Sequence, residues 1–126
     1  MGSNKLKNIF AFSIPLFILH TLEEVLFRLW NTDAFSLTAS NLLHIPPVSV
    51  YWLGQVLLYT FLASLLYLPR FGTHKAPLVL LGFGFLFEFE HSIVALQSGQ
   101  YEPGLVTGTL LALYGLFFWF SLIKKQ

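Results

Sequence analysis

Two short stretches carry all of the carboxylates and imidazoles in the apolar part of this chain. The first is "HTLEE", holding His20, Glu23 and Glu24 between "IFAFSIPLFIL" and "VLFRLW". The second is "FEFEHS", holding Glu88, Glu90 and His91 within "APLVLLGFGFLFEFEHSIVALQ". Imidazole nitrogen and carboxylate oxygen are ligands for Zn, Fe or Mn, and the types alone do not choose among them. The chain has no Cys, which excludes thiolate metal sites, disulfides and a Cys nucleophile. On a helix, His20 and Glu23 are spaced i,i+3 and His20 and Glu24 i,i+4, so the three lie near one face. Glu88 and His91 are again i,i+3, whereas Glu90 is turned about 100° from His91. Glu-x-x-His is the ligand unit of di-iron and di-manganese carboxylate bundles, because that spacing aims both side chains at one point. The spacing therefore predicts His20, Glu23, Glu88 and His91 as metal ligands. Glu24 and Glu90 are expected behind them, as a general base or as a support for the ligands.

The setting must be a membrane. Of 126 residues, 56% are hydrophobic and only 10% charged, against about a quarter charged in soluble domains. Four apolar runs, at residues 9–30, 48–68, 76–97 and 104–123, have about the 20 residues needed to cross ~30 Å of hydrocarbon. Between them stand "NTD" and "HIPP", then "LPRFGTHKAP", then "QSGQYEPG", all rich in turn residues. The expected fold is all-α, a single-domain bundle of four transmembrane helices over residues 1–126. Trp30, Trp52, Tyr101 and Trp119 fall near span ends, where aromatic belts are expected. A net charge of +1 gives no reason to expect a nucleic-acid partner; the lipid bilayer is the expected one.

Orientation follows from Lys and Arg. Lys5 and Lys7 precede the first span, Arg70 and Lys75 lie in the middle loop, and Lys124 and Lys125 end the chain. The other two loops carry Asp33 and Glu102 and no basic residue. The basic-inside rule then puts both termini and the middle loop in the cytoplasm. Spans one and three run parallel in this arrangement, and the two clusters reach the same depth, in the middle to outer half of the membrane.

Insertion energetics require these clusters to find partners. The first span holds thirteen Leu, Ile, Val or Phe residues, together worth about 6 kcal/mol, while two central carboxylates cost a comparable ~5–7 kcal/mol. Spans two and four carry no charge and read as scaffold. A competing account needs no metal: Glu24 and Arg28 are i,i+4 and pair, the carboxylates are protonated, and the polar groups bind helices together. Glu/His chains also suit a proton relay or transporter. The small-residue stripe Gly104, Gly108 and Ala112 predicts a close helix contact, within the chain or in a homo-oligomer. "GFGF" (Gly82 to Phe85) reads as relief of packing, and His44 and His74 as solvated loop residues.

"HTLEE" resembles the signature of the HXXEE family, small bacterial integral membrane proteins. "FEFEHSIVALQSGQYEPGLVTG", from Phe87 to Gly108, is similar to that family's second characteristic region, a helical His followed by a Tyr-x-Pro-Gly loop. The resemblance implies a multi-helix membrane protein of the bacterial cytoplasmic membrane, with His20, Glu23 and Glu24 as its signature residues. It implies no activity. The metal-dependent enzyme acting on a lipid or other hydrophobic small molecule is an expectation from spacing and depth. The alternatives are a proton-relay or transport protein and a non-catalytic accessory subunit.

Overall fold

In hydrocarbon a backbone must satisfy its own hydrogen bonds, and an apolar run of this length does so as a helix. The computed structural model describes residues 2–67 and 75–124; the expectations for Arg70, His74 and Lys125 lie outside them. Helix α1 is Gly2–Leu26 and passes through Pro15. A left-handed Arg28 (φ 55°) and a single 3-10 turn, Leu29–Asn31, follow. Helix α2 is Ala34–Leu43, α3 is Pro47–Leu66, α4 is Lys75–Phe87, α5 is Phe89–Ser98 and α6 is Leu105–Ile123. No strand occurs among the described residues. Four helices, with α4 and α5 counted as one, are long and apolar enough to cross a membrane.

Two boundaries differ from the sequence expectation. The first span ends at Leu26 rather than residue 30, because the chain reverses at Arg28. The first loop is not simply a loop, since α2 fills it. Asp33 starts that helix by accepting from the Phe35 and Ser36 amides, the latter at 2.6 Å, as an N-cap does. At ten residues α2 is half the length of a span, so a search for spans passes over it.

Helix α6 is the hub, packing against α1, α4 and α5; α2 lies on α3, and α3 rests on α1. Toward the end that holds the termini the core is almost wholly apolar, with Leu6, Phe10, Leu65, Leu78, Phe118 and Leu122 buried and Ser13 among them. Lipid offers no hydrophobic drive for helices to associate, so close van der Waals fit must supply it. Glycine provides that fit. A Cβ at Gly115 would overlap the Cβ of Phe85, and one at Gly82 would lie 2.7 Å from the Trp119 ring. Trp119 is therefore seated in a notch on α4 as well as lying near a span end. Tyr114 of α6 adds a bond, its hydroxyl donating to the Ile9 carbonyl of α1 at 2.7 Å.

Candidate functional site

The clusters on the first and third spans meet near the end of the bundle away from the termini. His20 is six residues before the end of α1 and His91 seven before the end of α5, or ~9–10 Å along each axis at 1.5 Å per residue. Glu88 stands at the joint between α4 and α5. That joint lets one carboxylate and the following His reach toward α1.

The contacts are short. His20 Nε2 lies 2.8 Å from Glu88 Oε2 and 3.2 Å from Glu24 Oε1. His91 Nε2 lies 3.7 Å from the same two oxygens. The two imidazole rings stand edge to face with centroids 5.1 Å apart. His20, Glu24 and His91 offer ligand atoms all within 4.8 Å of one another. His20 and Glu24 are buried, 4% and 5% exposed, and among the described residues their ion-pair contacts are with one another, Glu88 and His91, with no Lys or Arg.

Glu24 and Glu23 exchange the places that spacing gave them. Glu24 turns Oε1 to both histidines, while its Oε2 accepts from the Tyr51 hydroxyl at 2.9 Å and the Gln55 amide at 3.1 Å. Glu23 faces α6 instead. Its carboxylate accepts from the Val106 and Thr107 amides at 3.2 and 2.8 Å, from the Thr107 hydroxyl and from the Tyr101 hydroxyl. It thus caps α6 from another helix, placing negative charge at the positive end of the helix dipole. Adjacent residues on a helix differ by about 100° in direction, so one position decides which neighbour each carboxylate meets.

Thr107 joins the two functions. Its hydroxyl hydrogen goes to Glu23, so its oxygen accepts from His20 Nδ1, 3.0 Å away. In neutral His20 the hydrogen is then on Nδ1 and the lone pair is on Nε2, aimed at Glu24 and Glu88. Holding the far nitrogen of a histidine in this way is what metal sites do to orient a ligand.

The small-residue stripe is used inside the chain. Gly104, at φ 87°, has the two imidazoles over it: a Cβ would come within 2.7 Å of His20 Cε1 and 3.0 Å of His91 Cε1. A Cβ at Gly108 would meet the same rings at 3.1–3.2 Å, and Ala112 is fully buried. Only a residue without a side chain fits at Gly104, for reasons of both space and backbone.

Arg28 does not pair with Glu24. It is exposed at the helix end and has no ion-pair partner among the described residues, because Glu24 is committed inward. Glu90 is exposed on the wall of a chamber of about 400 Å³ whose lining mixes Leu29, Phe35, Val50 and Phe87 with Glu24, Glu88, His91, Tyr51, Gln55 and Asp33. Burial pushes the Glu102 carboxyl up, with Asp33 and Glu90 adding to the shift and His91 opposing it. Loss of solvation, and then the bond to Glu23, push the Tyr101 phenol up to about 12. His44 is exposed at the end of α2 and stands apart from the site.

Sequence reasoning assigned spans two and four to scaffold and so missed Tyr51, Gln55 and Thr107. The available signal was a hydrogen-bonding side chain within an apolar run, in "VYWLGQV" and "GLVTGT". Such groups must find partners in lipid.

No curated protein and no solved structure matches the chain. A family model described as "Protein of unknown function with HXXEE motif" matches residues 11–118, a span that includes every side chain of the site. His20, Glu23 and Glu24 are the motif itself, and the chain belongs to the HXXEE family.

Proposed function

We propose that His20, Glu24, Glu88 and His91 hold a divalent metal ion within the membrane, Zn, Fe or Mn, and that the centre acts on a lipid or another hydrophobic small molecule. The observation that carries this reading is the convergence of two imidazole Nε2 atoms on the same two carboxylate oxygens, at 2.8, 3.2, 3.7 and 3.7 Å. Ligands ~2.1 Å from a tetrahedral zinc are spaced about 3.4 Å from one another. Charge supports it too. With Thr107 holding Nδ1–H, a neutral His20 turns its Nε2 lone pair toward two carboxylates, and Nε2 must then take up either a metal ion or a proton. A cation between them removes the conflict. Zinc in such a site would activate water, and iron or manganese would bring redox chemistry. Glu90, on the chamber wall but outside the ligand cluster, is the side chain free to act as general base; Glu23 serves as cap and anchor.

The proton-relay reading rests on a hydrogen-bonded chain from Glu24 through Gln55 and Thr21 to Tyr59, whose hydroxyl has the Thr21 oxygen and the Phe17 carbonyl as alternative acceptors. Beyond Phe17 lie buried Phe10, Leu62, Leu65 and Phe85. A conduit would have to cross that apolar half, which favours a site that works from one side. With the termini cytoplasmic, as Lys5, Lys7 and Lys124 argue, the site belongs to the outer part of a bacterial cytoplasmic membrane.

Protein purified in mild detergent without chelator should carry about one metal ion per chain by elemental analysis. His20→Ala and His91→Ala should each lose most of it, whereas His44→Ala and His74→Ala should retain it. Absence of metal, with neither binding nor stabilisation on adding it back, would sink the metal centre. Proton flux in liposomes would then support the relay, and loss of assembly without flux would support the accessory-subunit alternative.

A further inference from the structure

A second cavity meets the site from the lipid side. Helix α3 rests on α1 and makes little contact with α4, which leaves a groove between α3 and α4. Its volume is about 330 Å³, and it is lined by Phe17 and Leu81 at the floor, Leu58 and Phe61 on α3, and Leu80, Phe83, Gly84 and Phe87 on α4. Glu88 is its single polar lining residue. Glu88 and Phe87 also line the chamber that contains Glu24 and His91. The two cavities therefore share a wall, apolar on one side and ligand-bearing on the other. At Gly84 a side chain would meet nothing within 4 Å, so the groove is open there.

We infer that the groove holds the apolar chain of a membrane-dissolved amphiphile whose small, non-anionic head lies in the chamber beside Glu88 and His91. This deepens the reading above by naming the substrate class, and it rests on that reading only for the chemistry at the head. The chain end is assigned by the lining, which offers a bilayer-depth surface without a hydrogen-bonding group until Glu88. The head end is assigned by charge complementarity. The chamber has Glu24, Asp33, Glu88 and Glu90 in its wall, and neither cavity has a Lys or Arg. Even a divalent ion neutralised by two carboxylates leaves Asp33 and Glu90, so a phosphate or carboxylate head is repelled. A hydroxyl head can donate to a carboxylate and accept from the second amide hydrogen of Gln55, and an amine head can donate to the carboxylates. A long-chain alcohol is the simplest molecule of this kind.

The test uses a diazirine-bearing octadecanol in phosphatidylcholine vesicles containing the full chain, with cross-linked peptides mapped by mass spectrometry and metal counted on the same sample. Labelling should be saturable and concentrated on residues 58–61 and 80–87. Oleyl alcohol should compete at least tenfold better than oleate. Gly84→Phe, which fills the groove at a position with room for a ring, should reduce groove labelling at least fivefold, while labelling at the lipid-facing Leu113 stays unchanged. Uniform, non-saturable labelling of all lipid-facing helices would overturn the groove. Equal competition by oleate would overturn the assignment of the head. Saturable labelling in metal-free protein would leave the groove standing and remove the metal; metal-loaded protein with non-saturable labelling would do the reverse. Because saturation and competition are read on the wild type, a Gly84→Phe variant that fails to fold does not remove the test.

Discussion

The two ends of this bundle solve opposite problems. Toward the termini, α1, α4 and α6 close on a largely apolar centre with no ionisable cluster, its polar groups being Ser13, which donates to the Phe10 carbonyl at 2.6 Å, the Tyr114 hydroxyl and the buried Trp119 Nε1. Toward the other end the same helices carry four ionisable groups in contact, α3 stands off α4, and two cavities open. Packing without voids is what holds helices together in lipid. Buried carboxylates and open chambers work against it. The lesson is a division of labour along the helix axes: the apolar half supplies the association energy that the polar half forgoes. Glu23 shows how sharply the division is drawn, since it lies beside Glu24 yet serves assembly by capping α6.

This contrast can be broken at the apolar end first. Gly115→Leu puts a branched side chain where Phe85 already is, and overpacking of this severity should cost about 3 kcal/mol or more. Folded yield and melting in detergent should collapse for Gly115→Leu, while His91→Ala melts as a folded protein. Equal damage from both would mean that the ends are not distinct.

Thr107→Val tests the link between the α6 cap and the histidine site. It is nearly isosteric but strands His20 Nδ1–H and removes one bond to Glu23, a loss of about 1–3 kcal/mol. Metal affinity should fall roughly 10–100-fold, as when a supporting hydrogen bond to a ligand is removed. Unchanged metal affinity by titration would show that Thr107 does not orient His20.

A smaller effect should appear at high pH. The Tyr101 phenol donates to Glu23 and titrates at about 12 in the folded chain, above the ordinary value of about 10. Folding thus favours its protonated form. Its contribution is fully present below about pH 10, and is lost as pH rises through the folded value. Melting between pH 9 and 12 should decline in the wild type, with a shallower decline in Tyr101→Phe.

The smallest effect is expected at Arg28. The residue is exposed and left-handed, and its backbone conformation suits glycine better. Arg28→Gly should change stability by no more than about 0.5 kcal/mol and leave metal content as it was. A large loss of either would restore the ion pair to Glu24 that spacing suggested.

The amino-acid sequence by itself determined that four helices are long and apolar enough to cross a membrane, and that the polar clusters of the first and third spans share a depth. The first follows from a rule local to one helix, the rise per residue, and the second from counting residues along two spans that the basic-inside rule makes parallel; the i,i+3 and i,i+4 spacings add a common face. It also marked His20, Glu88 and His91, because an ionisable group in an apolar run must find a partner. Tertiary structure alone decided that Glu24 faces the histidines while Glu23 caps α6. The two differ by one residue, and the rotation of α1 is set by what α5 and α6 place beside it. The same packing brought Tyr51, Gln55 and Thr107 to the site from spans that carry no charge, and seated Gly104 and Gly108 beneath the imidazoles. Spacing fixes directions around one helix axis; only the neighbouring helices say which direction points to the site.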